Sequence, residues 1–193
     1  MIALAIFSLP LLLSLLMFNS KTEQTARIPL VGLFITLGVA LTGLYLQSQG
    51  TSVNFDLPLI ESIGFHFNLK LDGQSWIMVL LTLIAGLGIF YVQSHKSLHN
   101  PNRFYAWGMM MIAAMLGAFM AADALLFYIC YEWALIPIFF IILGWGSGEH
   151  LSKITMRFFL YTLFGSLFMM LSLLYVHQSM ANPSFDMSAM WAA

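Results

Sequence analysis

Long runs without a single charge constrain this chain more than any other feature. No Asp, Glu, Lys or Arg occurs between Met1 and Lys21, between Arg27 and Asp56, between Asp72 and Lys96, between Arg103 and Asp123, or between Arg157 and Asp186. The run from Asp123 to Glu149 is interrupted only by Glu132. A bilayer core asks for about 20 apolar residues per helix. The gaps supply six such spans, at about 2–18, 28–46, 76–93, 104–122, 124–144 and 156–177. With 8% charged residues in 193, against roughly 25% in a soluble domain, the chain could not cover a soluble surface.

The expected fold is therefore all-α, a polytopic transmembrane bundle of six helices. No internal repeat, low-complexity segment or long linker divides it, so residues 1–193 read as a single membrane domain. The first span has no basic residue before it and no small-residue cleavage pattern after Phe18, and reads as a retained helix and not a signal peptide. Pro29 suits the first turn of the second span, and Ser75 suits an N-cap before Trp76. Trp76, Tyr91, Trp107 and Trp145 fall near span ends, where interfacial aromatics collect. A short turn at Asp123 makes spans four and five a tight antiparallel pair. Ala113, Gly117 and Ala121 repeat every four residues on span four and offer a small-residue face, a docking surface for span five.

Charge sets an expected orientation. Lys21, Arg27, Lys96, Arg103, Lys153 and Arg157 fall on one side of the membrane, and Lys70 alone falls on the other. The positive-inside bias puts the first group in the cytoplasm and both termini outside. Asp56, Glu61, Asp72, Asp123 and Asp186 then face outward. In the outer loop, 47–75, Phe65, Phe67, Leu69 and Leu71 alternate with His66, Asn68, Lys70 and Asp72. That is a strand pattern, with a partner expected around Val53 to Leu57, making a short β-hairpin that ties the subunit to a neighbour or to itself.

One acid lies in the wrong solvent. Glu132 is nine residues into span five, roughly 12 Å along a helix and near mid-membrane. A carboxylate there must carry a proton or find a cation. Five residues on, Pro137 has no N–H for the carbonyl of Trp133, which becomes available to water. A kink at Pro137, a freed carbonyl and a carboxylate within about one and a half turns suggest a hydrated path. Lys153 and Arg157 open span six near the cytoplasmic surface, roughly 15 Å from Glu132, and are accessory candidates and not direct partners. After Arg157 there is no Lys or Arg.

Other chemistry is disfavoured. A net charge of −1 offers nothing to nucleic acid. The single cysteine, Cys130, excludes an internal disulfide or a Cys-rich zinc or iron–sulfur site. Gly144 to Gly148 follows a membrane helix and not a strand, so it reads as a helix end and not a phosphate loop. His95 and His99 lack a third ligand in sequence. His66, His150 and His177 are isolated and read as solvated. Met109, Met110, Met111 and Met115 read as packing and not as copper ligands.

Asp72-Gly73-Gln74-Ser75 opening a membrane helix, Glu132 to Phe140 followed by Trp145-Gly146, and Arg157-Phe158-Phe159-Leu160-Tyr161-Thr162 together resemble antiporter-like proton-translocating subunits. The resemblance favours the subunit M type of bacterial NADH:quinone oxidoreductase, respiratory complex I, over types L and N. It implies that Glu132 is the family's helix-five glutamate and Arg157 its basic residue opening helix six. In the family that glutamate pairs with a lysine on a broken seventh helix. This sequence stops at Ala193 and lacks the family's later helices, so it reads as a fragment, a truncated frame or a split subunit, inactive alone; the resemblance implies a bacterial inner (plasma) membrane as its location.

The implied function is proton translocation through a Glu132-centred path as part of a quinone-reducing translocase. NADH, flavin, iron–sulfur clusters and quinone are expected in partner subunits, with no cofactor or metal in this chain. The expected partners are other membrane subunits of a respiratory complex, including homologous antiporter-like ones, and the lipid bilayer. A subunit of a multisubunit sodium/proton antiporter or a membrane-bound hydrogenase is the nearest alternative, and a non-transporting membrane scaffold is a further one.

Overall fold

A computed structural model describes residues 1–19, 27–60, 63–96, 98–180 and 184–191. Lys21 and Glu61, both used above to read topology, lie outside them. The elements run α1 (Ile2–Asn19), α2 (Arg27–Ser48), β1 (Phe55–Ile60), β2 (Phe65–Leu69), α3 (Gly73–Ser94), α4 (Pro101–Met120), α5 (Ala124–Trp145), α6 (Leu151–Ser179) and α7 (Met187–Trp191). Among the described residues six helices, α1 to α6, are long and apolar enough to cross a membrane. The six-helix reading and the hairpin both hold.

The edges differ from the sequence expectation for local reasons. Helix α3 begins at Gly73, because Asp72 and not Ser75 is its N-cap: the Ser75 N–H donates to Asp72 Oδ1 at 2.8 Å. That bond, first among several, holds the Asp72 carboxyl below its ordinary range. Helix α4 stops at Met120, where the chain turns extended. Helix α6 starts at Leu151, including Lys153, after a left-handed His150. The partner of β2 is residues 55–60, offset from the expected 53–57, in antiparallel register with Phe55 opposite Leu69 and Leu57 opposite Phe67.

The bundle is built around α4. Its small residues let neighbours approach from two sides, since a Cβ on Gly117 would lie 2.8 Å from both Cys130 Sγ of α5 and Phe7 Cε2 of α1. The small face therefore receives α1 as well as α5. Met109 is fully buried in the same core. A hydroxyl placed in so apolar an interior needs a partner, and Ser14 of α1 finds one in the Ala106 carbonyl at 2.8 Å. Trp76, in the first turn of α3, is buried against the protein; its indole N–H donates to Gln47 Oε1, fixing the start of α3 to the end of α2. Helix α6 is the exception to this packing. Of its 29 residues only Thr155 and Ser166 are buried.

Candidate functional site

The hairpin end of the bundle is closed by a small sheet that the sequence shows only in part. Beyond β2, Lys70 N–H donates to Met120 O at 2.7 Å and Ala122 N–H to Asn68 O at 2.9 Å. On the far side of this extended α4–α5 junction, Met187 N–H donates to Ala122 O and Ala124 N–H to Phe185 O. The hairpin thus ties the chain to itself. Asp123 sits in the knot, 1% exposed. Its Oδ1 accepts the N–H groups of Leu125 and Leu126, and its Oδ2 accepts that of His66 at 3.1 Å. Three donors satisfy this carboxylate, making it an N-cap for α5.

Two turns into the same helix, Glu132 has none of this support. The residue is half-buried, and its Oε1 is shut off with no hydrogen-bond partner, alone among buried side-chain nitrogen and oxygen atoms of the described residues. Its direction follows from helical geometry. Phe139, seven residues on, lies on nearly the same face and packs its ring on Phe159 of α6 at 5.2 Å. Glu132 therefore faces the α6 side. Because α5 and α6 run antiparallel, a seven-residue step back from Phe139 and the same step forward from Phe159 reach one level. These steps lead to Glu132 and to Ser166. The buried serine opposite the glutamate was missed in the sequence, where Ser166 is one hydroxyl among several on an apolar helix; only the helix pairing singles it out. Its Oγ donates to Leu163 O at 2.8 Å.

Helix α5 continues unbroken through Pro137, which is buried. The proline still leaves the Trp133 carbonyl without its helical donor. At the far end, the Trp145 indole N–H donates to His99 O at 2.6 Å and its ring meets Phe104 edge-on at 5.3 Å. Gly144 to Gly148 forms the helix end, with Gly146 N–H on Ile142 O and Gly148 in a positive-φ turn.

Lys153 and Arg157 are exposed in the first turns of α6. Arg157 is nine residues from Ser166, about 13 Å along the helix from the level of Glu132, and the two are not brought together. The histidines are more engaged than their isolation in sequence suggested. His66 Nδ1 lies 3.2 Å from Asp56 Oδ1, and His177 reaches Ile63 O at 3.1 Å while stacking on Phe185. Both serve the sheet at the hairpin end. His95 turns back to Tyr91 O at 3.0 Å and His99 meets Asn100 at 2.8 Å. Among the described residues no three His, Cys, Asp or Glu side chains converge as a metal site. A cavity of about 590 Å³ opens among α3, α4, α5, α6 and α7 near the hairpin end, lined by Met78, Phe119, Met169 and Met190 together with Asp72. It does not reach Glu132.

Residues 121–192 match the family described as "NADH:quinone oxidoreductase/Mrp antiporter, TM". The chain is 31% identical over 193 residues to "F(420)H(2) dehydrogenase subunit M" of Methanosarcina mazei, covering 96% of this chain and 39% of that protein. It is 32% identical over 203 residues to "NADH-quinone oxidoreductase subunit M" of Rickettsia felis, covering 97% and 39%. Among solved structures, a chain of respiratory complex I from Thermus thermophilus superposes with a TM-score of 0.81 at 27% identity, over 100% of this chain and 39% of that one. The chain thus spans about two-fifths of the length of the relatives it matches.

Proposed function

Because the chain belongs to the antiporter-like membrane subunits of NADH:quinone oxidoreductases and their relatives, we propose that it moves protons through the membrane, with Glu132 as the carrier group and redox chemistry in other subunits as the drive. The observation that carries this reading is the unpartnered, buried Oε1 of Glu132. An acid held in low dielectric without a donor is poised between two states. It takes a proton when no cation is near and gives it up when one approaches. Structural acids are arranged to avoid that situation.

In this reading the chain's own residues divide the work. Glu132 holds the proton at its carboxyl oxygens. Ser166, at the same level on α6, offers a hydroxyl that can relay it. Pro137 exposes the Trp133 carbonyl to water on the basic side. Lys153 and Arg157 act at the entrance, raising the local density of negative counter-charge and leaving Glu132 itself unpaired. Flavin, iron–sulfur clusters, quinone and the electron donor belong to other subunits of the complex, and homologous antiporter-like subunits are its neighbours in the membrane. Names among the relatives include both an NADH and an F420H2 enzyme, so we read the drive as redox. The end carrying Arg27, Lys96, Arg103, Lys153 and Arg157 faces the cytoplasm of a bacterial cell in this proposal, and the hairpin faces outward.

The test is the proton-to-electron stoichiometry of the membrane complex carrying Glu132→Gln. We expect the complex to assemble with electron transfer retained and proton transfer greatly reduced; an unchanged stoichiometry would falsify the role of Glu132. A second reading, a subunit of a sodium/proton antiporter, is favoured by the family description, which joins the two kinds. Purification with antiporter subunits and no quinone reductase would decide for it. A plain scaffold requires that Glu132 tolerate any substitution.

A further inference from the structure

Helices α1 and α2 form an antiparallel pair whose outer surface holds a groove of about 340 Å³. Leu9 and Leu13 form one wall, and Ile28, Val31 and Ile35 form the other. At the floor is Gly32, where a Cβ would fall 2.2 Å from Leu13 Cδ1. The groove faces away from the bundle, since Val31 is 56% and Ile35 53% exposed. Arg27 is its one charged lining residue and stands at its basic end.

Length and lining limit the occupant. From Arg27 to Ile35 the groove runs about 12 Å, close to the ~15 Å depth of one leaflet's hydrocarbon. With apolar side chains on both walls, it suits a single alkyl chain lying along it. Charge selects the head. Arg27 makes no ion pair with a described residue, and the adjoining residues Lys21 and Glu23 cancel in sequence. One guanidinium is left at headgroup depth, with the fork geometry that suits phosphate.

We propose that this groove binds one acyl chain of an anionic phospholipid whose phosphate is held by Arg27. The site is separate from Glu132, and its fate leaves the proton reading untouched. The test uses the assembled membrane complex in phosphatidylcholine nanodiscs doped with phosphatidylglycerol bearing a diazirine midway along one acyl chain, with labelled peptides mapped by mass spectrometry. In the wild type, label concentrates on residues 9–13 and 28–35. Arg27→Gln lowers it about fivefold, the effect of one basic residue at the membrane surface, and Arg27→Lys restores most of it. Val31→Trp fills the groove and abolishes the label. Leu12→Trp changes a residue of α1 that is exposed to 54% and stands off the groove, and leaves labelling as in the wild type. Labelling that ignores both Arg27→Gln and Val31→Trp overturns the proposal. So does a photoreactive side chain at position 31 that captures another subunit in place of lipid.

Discussion

Two acids on one helix, Asp123 and Glu132, are both drawn away from water and have opposite surroundings. Asp123 receives three backbone N–H groups at 2.9 to 3.1 Å, and each is a donor that would otherwise be orphaned at a helix start or strand end. Removing the carboxylate would harm the backbone as much as the backbone serves the carboxylate. Glu132 receives no donor at Oε1 and supports no neighbour there. Burial alone therefore says little about purpose in a membrane chain. The number of donors separates an acid that holds the fold from one that is kept available.

The contrast can be broken by substitution. The largest expected effect is in transport: Glu132→Gln lowers proton transfer tenfold or more in the membrane complex, while thermal stability in detergent stays within about 1 kcal/mol, because no partner is orphaned. Asp123→Ala should do the reverse. Losing a cap and stranding the His66 N–H costs about 2–4 kcal/mol, read as a lower melting temperature, with the proton-to-electron ratio of the surviving complex unchanged. Asp123→Asn, which still caps, should recover most of that loss. Trp145→Phe keeps the ring against Phe104 and deletes only the bond to His99 O. It should cost about 1 kcal/mol, and a loss above twice that would mean that the ring packing has also gone.

The smallest effect is in pH dependence. Asp72, chiefly through the Ser75 N–H, and Asp186, chiefly through the Ser188 hydroxyl, are held below the ordinary 3.8 in the folded chain. A carboxyl whose folded value is depressed contributes stability above its unfolded value and loses it as pH falls through the folded one. Acidification from about pH 5 to about pH 2 should therefore lower amide protection, measured relative to the slower intrinsic exchange in acid, at the start of α3 and in α7 first. Uniform protection across that range would contradict the assigned bonds.

The sequence exposes some of this readily and some not at all. Charge-free runs locate α1 to α6, because a bilayer penalises charge along the whole length of a helix. The alternation of Phe65, Phe67 and Leu69 reveals β2 for a similarly simple reason, its period of two. The sheet beyond β2 is invisible in this way. It depends on Met120, Ala122 and Phe185 offering backbone groups, and backbone pairing leaves no residue signature. The packing of Trp76 is hidden for a related reason: an indole at a span end does not reveal in sequence that its N–H meets Gln47. Glu132 stands out as a lone acid in an apolar run. Ser166 does not, because a serine is common on membrane helices and only the pairing of Phe139 with Phe159 gives it a position.

The two anchors of α5 have a mechanical consequence. One end is sewn into the sheet at the hairpin end through Asp123 and Ala124, and the other is fastened by Trp145 to the residues before α4. A beam supported at both ends bows but does not swing. Its weakest cross-section is where a rung of the hydrogen-bond ladder is missing, between Trp133 and Pro137. Rearrangement around Glu132 must therefore come from a bow of about one turn in α5, or from displacement of α6, the helix with the least buried surface holding it in place.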